Sequence, residues 1–257
     1  MKIVIFSGTT EGRELSRLLV EAGAEVTVCV ASEYGGEEQG RIPGVETRVG
    51  ALSPEEKTAL LSGAELCVDA THPYATHVTA SVREACGQTG TEYLRLLRDA
   101  SIAEAAITVE HAAAAAELLG TEKGNILLTT GAKELSAFRR LDPERLFPRV
   151  LPCHESLAAC ESAGIPHRNI IAMQGPFSKE MNLATIRQYQ IRFVVTKDGG
   201  APGGLPEKAA AAAESGAQLI VLRRPEEQGL RFDEVLNQCM SRLRAANIVL
   251  DEGEQQL

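Results

Sequence analysis

Five short stretches of this 257-residue sequence gather the side chains able to do chemistry: residues 7–12, 71–75, 129–133, 174–178 and 197–204. The first, Ser7-Gly8-Thr9-Thr10-Glu11-Gly12, is a tight turn that would aim free backbone N–H groups and a helix dipole at a phosphate. A full G-x-G-x-x-G fingerprint needs glycine at 7 and 9, where this chain has Ser7 and Thr9. Taken alone, the turn fits a nucleotide site or an ordinary strand-to-helix connection. The second stretch carries His72-Pro73-Tyr74. An imidazole there suits acid–base work near neutral pH, and the plainer reading is a hydrogen-bonded structural histidine. Lys133, Arg149, Lys179, Lys197 and Lys208 lie in or beside the later stretches, with Arg95 and Arg98 closing the first half. They are either solvated surface charge or a basic rim for a carboxylate-bearing ligand. Asp198, next to Lys197, is a salt-bridge or turn residue.

Several chemistries are excluded. The five histidines and six cysteines are scattered, with no C-x-x-C and no H-x-x-x-H, so no metal centre is expected and the cysteines read as free thiols. There is no G-x-S-x-G elbow for acyl transfer. Tyr34, Tyr74, Tyr93 and Tyr189 are followed four residues later by Glu38, Val78, Leu97 and Phe193, so the Tyr-x-x-x-Lys of short-chain dehydrogenases is missing. A net charge of −9 argues against general nucleic-acid binding. No apolar run is long enough to span a bilayer and no signal-peptide pattern opens the chain, so a cytoplasmic location is expected.

The elements that must hold these stretches follow from periodicity. Lys2–Phe6 is an apolar, β-branched run, and Leu15, Leu18, Leu19 and Ala22 then fall at helical spacing. Residues 25–31, 44–49, 66–70 and 93–97 read as strands. Ser53-Pro54-Glu55-Glu56 is a capping box with proline at the first helical position, and residues 76–86 form another helix. The second half continues with strands at 125–130, 146–151, 170–174, 192–196 and 218–222. Its helices are expected at 112–119, 133–140, 154–162, 179–189, 206–215 and 232–245, before a polar tail at 251–257 that frays. This alternation predicts an α/β protein with parallel sheets, and a domain boundary within residues 101–110. All five stretches then sit beyond the carboxyl ends of strands, where open α/β sheets bind ligands. An NAD-binding fold usually carries an acidic residue at the end of its second strand. Here Ala31 and Ser32 stand there, with Glu33 one step late and Arg41 within loop reach. Ser32 and Arg41 tolerate a ribose 2′-phosphate, which tilts the expected coenzyme to NADPH, with NADH as the alternative.

The strand-end residues together resemble the precorrin-6A reductase family, including the cobalt-precorrin-6A reductases of cobalamin synthesis. The resemblance is carried by 7–13 (SGTTEGR), 69–75 (DATHPYA), 93–95 (YLR), 129–131 (TTG), 173–178 (MQGPFS), 195–198 (VTKD), Gly203-Gly204 and Glu207-Lys208. Ser7 departs from the family's glycine, and Gly199 from its serine. The resemblance implies two Rossmann-like domains, an N-terminal dinucleotide-binding one over 1–104 and a C-terminal substrate-binding one over 105–257, with the active site in the cleft between them. It implies hydride transfer from a reduced nicotinamide dinucleotide to one double bond of a contracted tetrapyrrole. Gly8, Thr9, Thr10 and Gly12 would hold the pyrophosphate, with Ser32, Arg41 and Thr71 also on the coenzyme. His72, Tyr74, Lys197 and Asp198 would serve catalysis. Lys133, Gln174, Gly175, Ser178, Gly203 and Gly204 would meet the macrocycle. Transient contact with other enzymes of the same pathway is also implied, but no nucleic-acid or membrane partner. The competing reading is a non-catalytic tetrapyrrole- or nucleotide-binding protein, a carrier or redox sensor.

Overall fold

The computed structural model describes residues 1–98 and 106–254, with side chains described as far as residue 245. The first series of elements is β1 (Lys2–Phe6), α1 (Thr10–Glu21), β2 (Glu25–Val30), α2 (Glu33–Gln39), β3 (Val45–Val49), α3 (Pro54–Leu61), β4 (Leu66–Asp69), α4 (Thr76–Thr89) and β5 (Glu92–Arg95). Its five strands lie in the order β3-β2-β1-β4-β5 and every pairing is parallel. Successive residues of β1 part to opposite faces, as the pleat requires. Ile3 and Ile5 join Leu15 and Leu19 of α1, while Val4 and Phe6 join Leu60 and Leu61 of α3 and Val82 of α4. Burial on both faces is why these strands are unbroken apolar runs in the sequence.

The second series is β6 (Ile107–Val109), α5 (Ala112–Gly120), β7 (Asn125–Leu128), β8 (Leu146–Val150), α6 (His154–Ser162), β9 (Ile171–Ala172), α7 (Lys179–Gln188), β10 (Ile191–Lys197), α8 (Leu205–Ser215) and β11 (Gln218–Leu222). These strands are also all parallel, in the order β6-β11-β10-β7-β8-β9. Leu128 and Val195 face α5 and α6; Leu127 and Val194 face α7 and α8. A final helix, α9, covers Phe232–Glu254.

In each sheet the strand order reverses once. β2 and β3 lie on one side of β1, and the chain returns to the other side as β4 and β5. Likewise β8 and β9 flank β7 on one side, and β10 and β11 on the other. The crevices at β1/β4 and β7/β10 are topological switch points, where the two crossovers diverge and leave strand ends open.

Contacts group the chain into two units, Met1–Arg98 with Pro225–Leu257, and Asp99–Arg224. The boundary expected between 104 and 105 lies outside the described residues. The structure differs from the expected division beyond residue 225. Leu230 forms a parallel bridge with Leu96, and α9 sends Val235, Cys239 and Leu243 into the core that holds Leu15 and Leu19. A five-stranded sheet exposes more apolar face than α1 alone can cover, and α9 completes that cover. Four smaller differences are local. α2 forms where a strand-end loop was expected, β6 falls inside the expected boundary stretch, and residues 132–138 are a 3-10 helix instead of an α-helix. α9 continues past 245 to Glu254, and residues 255–257 of the tail expected to fray lie outside the described residues. The capping box at Ser53 has both of its bonds.

Truncating Leu243 to alanine is expected to cost about 2–5 kcal/mol. Hydrogen exchange locates the loss: amides of β1 and β4 lose protection while those of β7 and β10 keep it. Loss in β7 and β10 instead would contradict the grouping of α9 with the first sheet.

Candidate active site

At the first reversal, β1 delivers Ser7 and Gly8 into the N-terminus of α1. Gly8 has φ +132° and open space where a Cβ would be, so the backbone is bare on that side. Thr9 caps the helix: its Oγ1 accepts from the Gly12 N–H at 3.1 Å and donates to the Ala70 carbonyl at 2.8 Å. The turn is thereby tied to the end of β4. Gly12 is buried and Thr10 exposed; the N–H groups of Thr10 and Glu11 have no intrahelical acceptor and form the positive end of the helix dipole. Ser7, standing where the fingerprint has glycine, donates to Gln39 Oε1 at 3.2 Å, and Gln39 donates on to Ser16 at 3.0 Å. Burial works against the charge of Glu11, but the Arg98 guanidinium at 2.7 Å outweighs it and holds the carboxyl below the usual range.

Beside this turn, β4 ends in a buried charge cluster. Asp69 is fully buried; its Oδ1 accepts from the Thr71 N–H at 3.0 Å and hydroxyl at 2.6 Å, and its Oδ2 from the Tyr93 hydroxyl at 2.9 Å. Arg95 Nη1 donates to Asp69 Oδ1 and to the Asp69 and Thr71 carbonyls, each at 3.0 Å. Burial first, and the Asp69 charge second, push the Tyr93 phenol well above its ordinary value. The next residue is His72, whose Nδ1 accepts from the Tyr74 N–H at 3.3 Å and whose ring lies 5.6 Å from the Tyr74 ring. In the neutral ring that bond leaves the proton on Nε2.

A cavity of about 240 Å³ opens between these two loops and the end of β2. Gly8, Ser32, Tyr34, Glu38, Lys57, Thr71 and His72 border it, over an apolar floor of Val30, Leu52 and Val78. Ser32 caps α2, accepting from the Gly35 N–H at 3.1 Å. Burial first, and the Glu38 carboxylate charge second, raise the pKa of the Tyr34 phenol. Arg41 does not border the cavity, because α2 occupies 33–39 and carries the chain away from it. The Thr71 side chain reaches the cavity wall, yet its hydroxyl is committed to Asp69.

The second unit repeats the pattern at β7/β10 with a different charge arrangement. Arg149, on β8, is buried; its Nη1 donates to Asn182 Oδ1 at 2.9 Å, and its Cζ stands 3.9 Å over the Phe177 ring. Asn182 in turn donates to the Ser178 carbonyl at 2.9 Å, which pins residues 177–178. Lys208, also buried, donates to the Gly203 carbonyl at 2.6 Å. Burial lowers Arg149 to about 10; burial, then the Arg149 charge, lower Lys208 to about 8, with Glu207 acting the other way. Buried side-chain atoms without a hydrogen-bond partner include Thr130 Oγ1 and Glu207 Oε2. Lys197 pairs with Glu134 at 2.9 Å, and Asp198 takes Arg224 at 3.4 Å and the Gly200 N–H at 3.1 Å. Ser178 caps α7 through the Met181 N–H at 3.3 Å. Lys133 and Gln174 are exposed, Gly175 is half-buried, and Gly203 and Gly204 lead into α8.

The expected residues therefore gather in two groups. Gly8, Thr9, Thr10, Gly12, Ser32, Thr71, His72 and Tyr74 belong to the first unit; Lys133, Gln174, Gly175, Ser178, Lys197, Asp198, Gly203 and Gly204 belong to the second. Tyr34, Glu38 and Lys57 at the cavity were missed, although Ser32 followed by Glu-Tyr-Gly-Gly-Glu-Glu carried a capping signal for α2. Asn182 was also missed; a polar residue on the buried face of α7, beside Leu183 and Ile186, was its signal. Among the described residues no cluster of His, Cys, Asp and Glu could hold a metal, and no helix is long and apolar enough to cross a membrane.

The family model described as "Precorrin-6x reductase CbiJ/CobK" matches residues 2–240. A cobalt-precorrin-6A reductase of Methanothermobacter thermautotrophicus is 37% identical over 233 residues, covering 88% of this chain and 77% of the relative. One from Priestia megaterium is 33% identical over 259 residues, covering 95% and 100%. A precorrin-6A reductase of Mycobacterium tuberculosis is 31% identical over 234 residues, covering 87% and 89%. Among solved structures, "CobK precorrin-6A reductase" superposes with a TM-score of 0.74 at 22% identity, covering 93% of this chain and 96% of that one, a likeness of fold.

The two charge clusters predict opposite responses to neutralisation. Asp69→Ala leaves Arg95 with Glu227 as its one carboxylate and takes the acceptor from the buried Thr71 and Tyr93 hydroxyls, and is expected to destabilise by about 1–3 kcal/mol for each group left unpaired. Lys208→Met removes a buried cation that pairs with no carboxylate among the described residues, and is expected to stabilise the fold. The folded pKa of Lys208 lies below its unfolded value, so the native protein bears the full cost of the charge below pH about 8. The gain from Lys208→Met is therefore largest there and fades at higher pH. Urea unfolding at a series of pH values checks both; a destabilised Lys208→Met would contradict this account of the second cluster.

Proposed function

This chain belongs to the precorrin-6x reductase family, and we propose that it passes a hydride from a reduced nicotinamide dinucleotide to a double bond of precorrin-6A or cobalt-precorrin-6A. It is an oxidoreductase of cobalamin biosynthesis. The macrocycle takes up one hydride and one proton and becomes the 6B form, while the coenzyme leaves oxidised. The observation that carries this reading is the bare Gly8 backbone at the N-terminus of α1, opening on a cavity at the first strand-order reversal. That geometry fits a dinucleotide, with Gly8, Thr9 and Thr10 around its pyrophosphate, while Gly12, buried with its N–H on Thr9, lets α1 pack close against Ser7 and Ala70. When bound, the coenzyme supplies the hydride.

The protein's own tasks are binding, orientation and proton supply. Arg149 and Lys208, buried without carboxylate partners among the described residues, would receive acetate or propionate arms of the macrocycle, with Lys133, Gln174, Gly175, Ser178, Gly203 and Gly204 around them. His72, acting as the imidazolium, is the first candidate for the proton donor, and Tyr74 beside it is the second. Lys197 and Asp198, held by Glu134 and Arg224, would orient charge near the reacting ring.

Ser32 and Arg41 favoured NADPH, but the cavity argues for NADH. Its rim carries the Glu38 carboxylate beside Tyr34, and Lys57 is the cation among the residues that border it. A carboxylate there accepts a hydrogen bond from a ribose hydroxyl and repels a 2′-phosphate.

Absorbance assays with precorrin-6A and its cobalt complex test the reaction: the coenzyme is consumed only when a macrocycle is present. Tight binding of both ligands without turnover would instead support the carrier or sensor reading. For NADH over NADPH, kcat/KM is expected to differ by about tenfold, or 1.4 kcal/mol, and Glu38→Gln should narrow the gap. Equal efficiency would overturn the assignment of Glu38. The kcat/KM for the macrocycle should fall as pH rises through about 8, where Lys208 loses its charge, and Lys208→Met should be slow and flat across that range. A wild-type profile without that limb would remove Lys208 from the carboxylate site.

A further inference from the structure

The charge cluster below the His72 loop reaches one step further, to a residue far along the chain. Arg95 Nη2 donates to both carboxylate oxygens of Glu227, each at 3.0 Å, while Nη1 holds Asp69 and the Thr71 carbonyl. The Thr71 carbonyl belongs to the peptide that carries the His72 N–H. Thr71 is thus fixed at its N–H and hydroxyl by Asp69 and at its carbonyl by Arg95.

Glu227 is itself rigidly delivered. The Leu230 N–H donates to the Arg95 carbonyl at 2.8 Å, and the Leu97 N–H donates to the Leu230 carbonyl at 2.8 Å. Between them Gly229 presses so close that a Cβ would fall 2.6 Å from the Arg95 carbonyl oxygen, so no other residue fits there without displacing the segment.

We propose that Glu227 is a positioning residue: through Arg95 it fixes the Thr71–His72 peptide that walls the cavity taken above as the coenzyme site. The proposal rests on that reading of the cavity. A planar guanidinium has its two Nη groups in fixed relation, so clamping Nη2 on Glu227 sets the direction in which Nη1 points at Thr71. Without Glu227 only Nη1 would be held, and the guanidinium could pivot about that end. Tyr93 serves as an internal control, since its hydroxyl bonds Asp69 but takes no part in the link from Glu227 through Arg95 to Thr71.

The test is fluorescence titration of the full-length protein with NADH and NADPH, beside denaturation midpoints. Glu227→Gln is expected to raise the dissociation constant about tenfold, since loop misplacement of this kind is costly. Tyr93→Phe is expected to lower the denaturation midpoint while leaving the dissociation constant unchanged. In a double-mutant cycle, His72→Ala should add little to Glu227→Gln, because both remove the same wall. If Glu227→Gln does not fold, Glu227→Asp, too short to keep both bonds, takes its place with a loss in the same direction. Unchanged affinity, additive effects with His72→Ala, or a parallel loss of affinity in Tyr93→Phe would overturn the proposal. Failure of the unmodified protein to bind either coenzyme would overturn the coenzyme reading and this proposal together.

Discussion

Each sheet of this chain changes direction once, and where it does so constrains everything that follows. A parallel strand flanked by strands reached from opposite sides sends its two crossovers apart, leaving a crevice at the carboxyl ends. At β1/β4 the crevice is bounded by residues 7–12 and 71–75; at β7/β10, by residues 129–133 and 197–204. Four of the five chemically rich stretches thus lie at reversal points. The fifth, residues 174–178, follows the edge strand β9 and is held by Asn182 and Arg149.

The same architecture carries two opposite electrostatic solutions. In the first unit, Arg95 is surrounded by Asp69 and Glu227, and Arg98 is paired with Glu11. These charges are spent on geometry: they hold backbone in place around a cavity. In the second unit, Arg149 leans on a neutral amide and an aromatic ring, and Lys208 on a backbone carbonyl. A buried cation without a carboxylate costs folding free energy, and a bound carboxylate relieves that cost. Under the proposed function, carboxylate arms of the substrate would bring the partner that Arg149 and Lys208 lack among the described residues.

Much of this was legible in the residues. The alternation of apolar runs and helical spacing identified the α/β class, and α6 and β11 fall on their expected limits. The strand-end turn and His72 stand at strand ends, as do Arg95 and Lys197, whereas Lys179 and Lys208 lie on α7 and α8. What stayed hidden depends on contacts far apart in the chain. Glu227 lies 132 residues from Arg95, and no local pattern links them. α9 reads as an ordinary amphipathic helix, and only the uncovered face of the first sheet explains why it packs beside α1. α2 was obscured by Gly35 and Gly36, poor helix formers. A side chain at Gly36 would meet Val49 at 2.9 Å, so packing against β3 selects the glycine that weakens the helical signal.

The central claim is that this chain moves a hydride from a bound nicotinamide to a tetrapyrrole carbon. Its most direct test is isotopic: turnover of cobalt-precorrin-6A or precorrin-6A with coenzyme dideuterated at the nicotinamide C4, followed by mass spectrometry of the reduced macrocycle. Direct transfer predicts a product carrying a single deuterium, retained in ordinary water. A reduced product free of deuterium would contradict it.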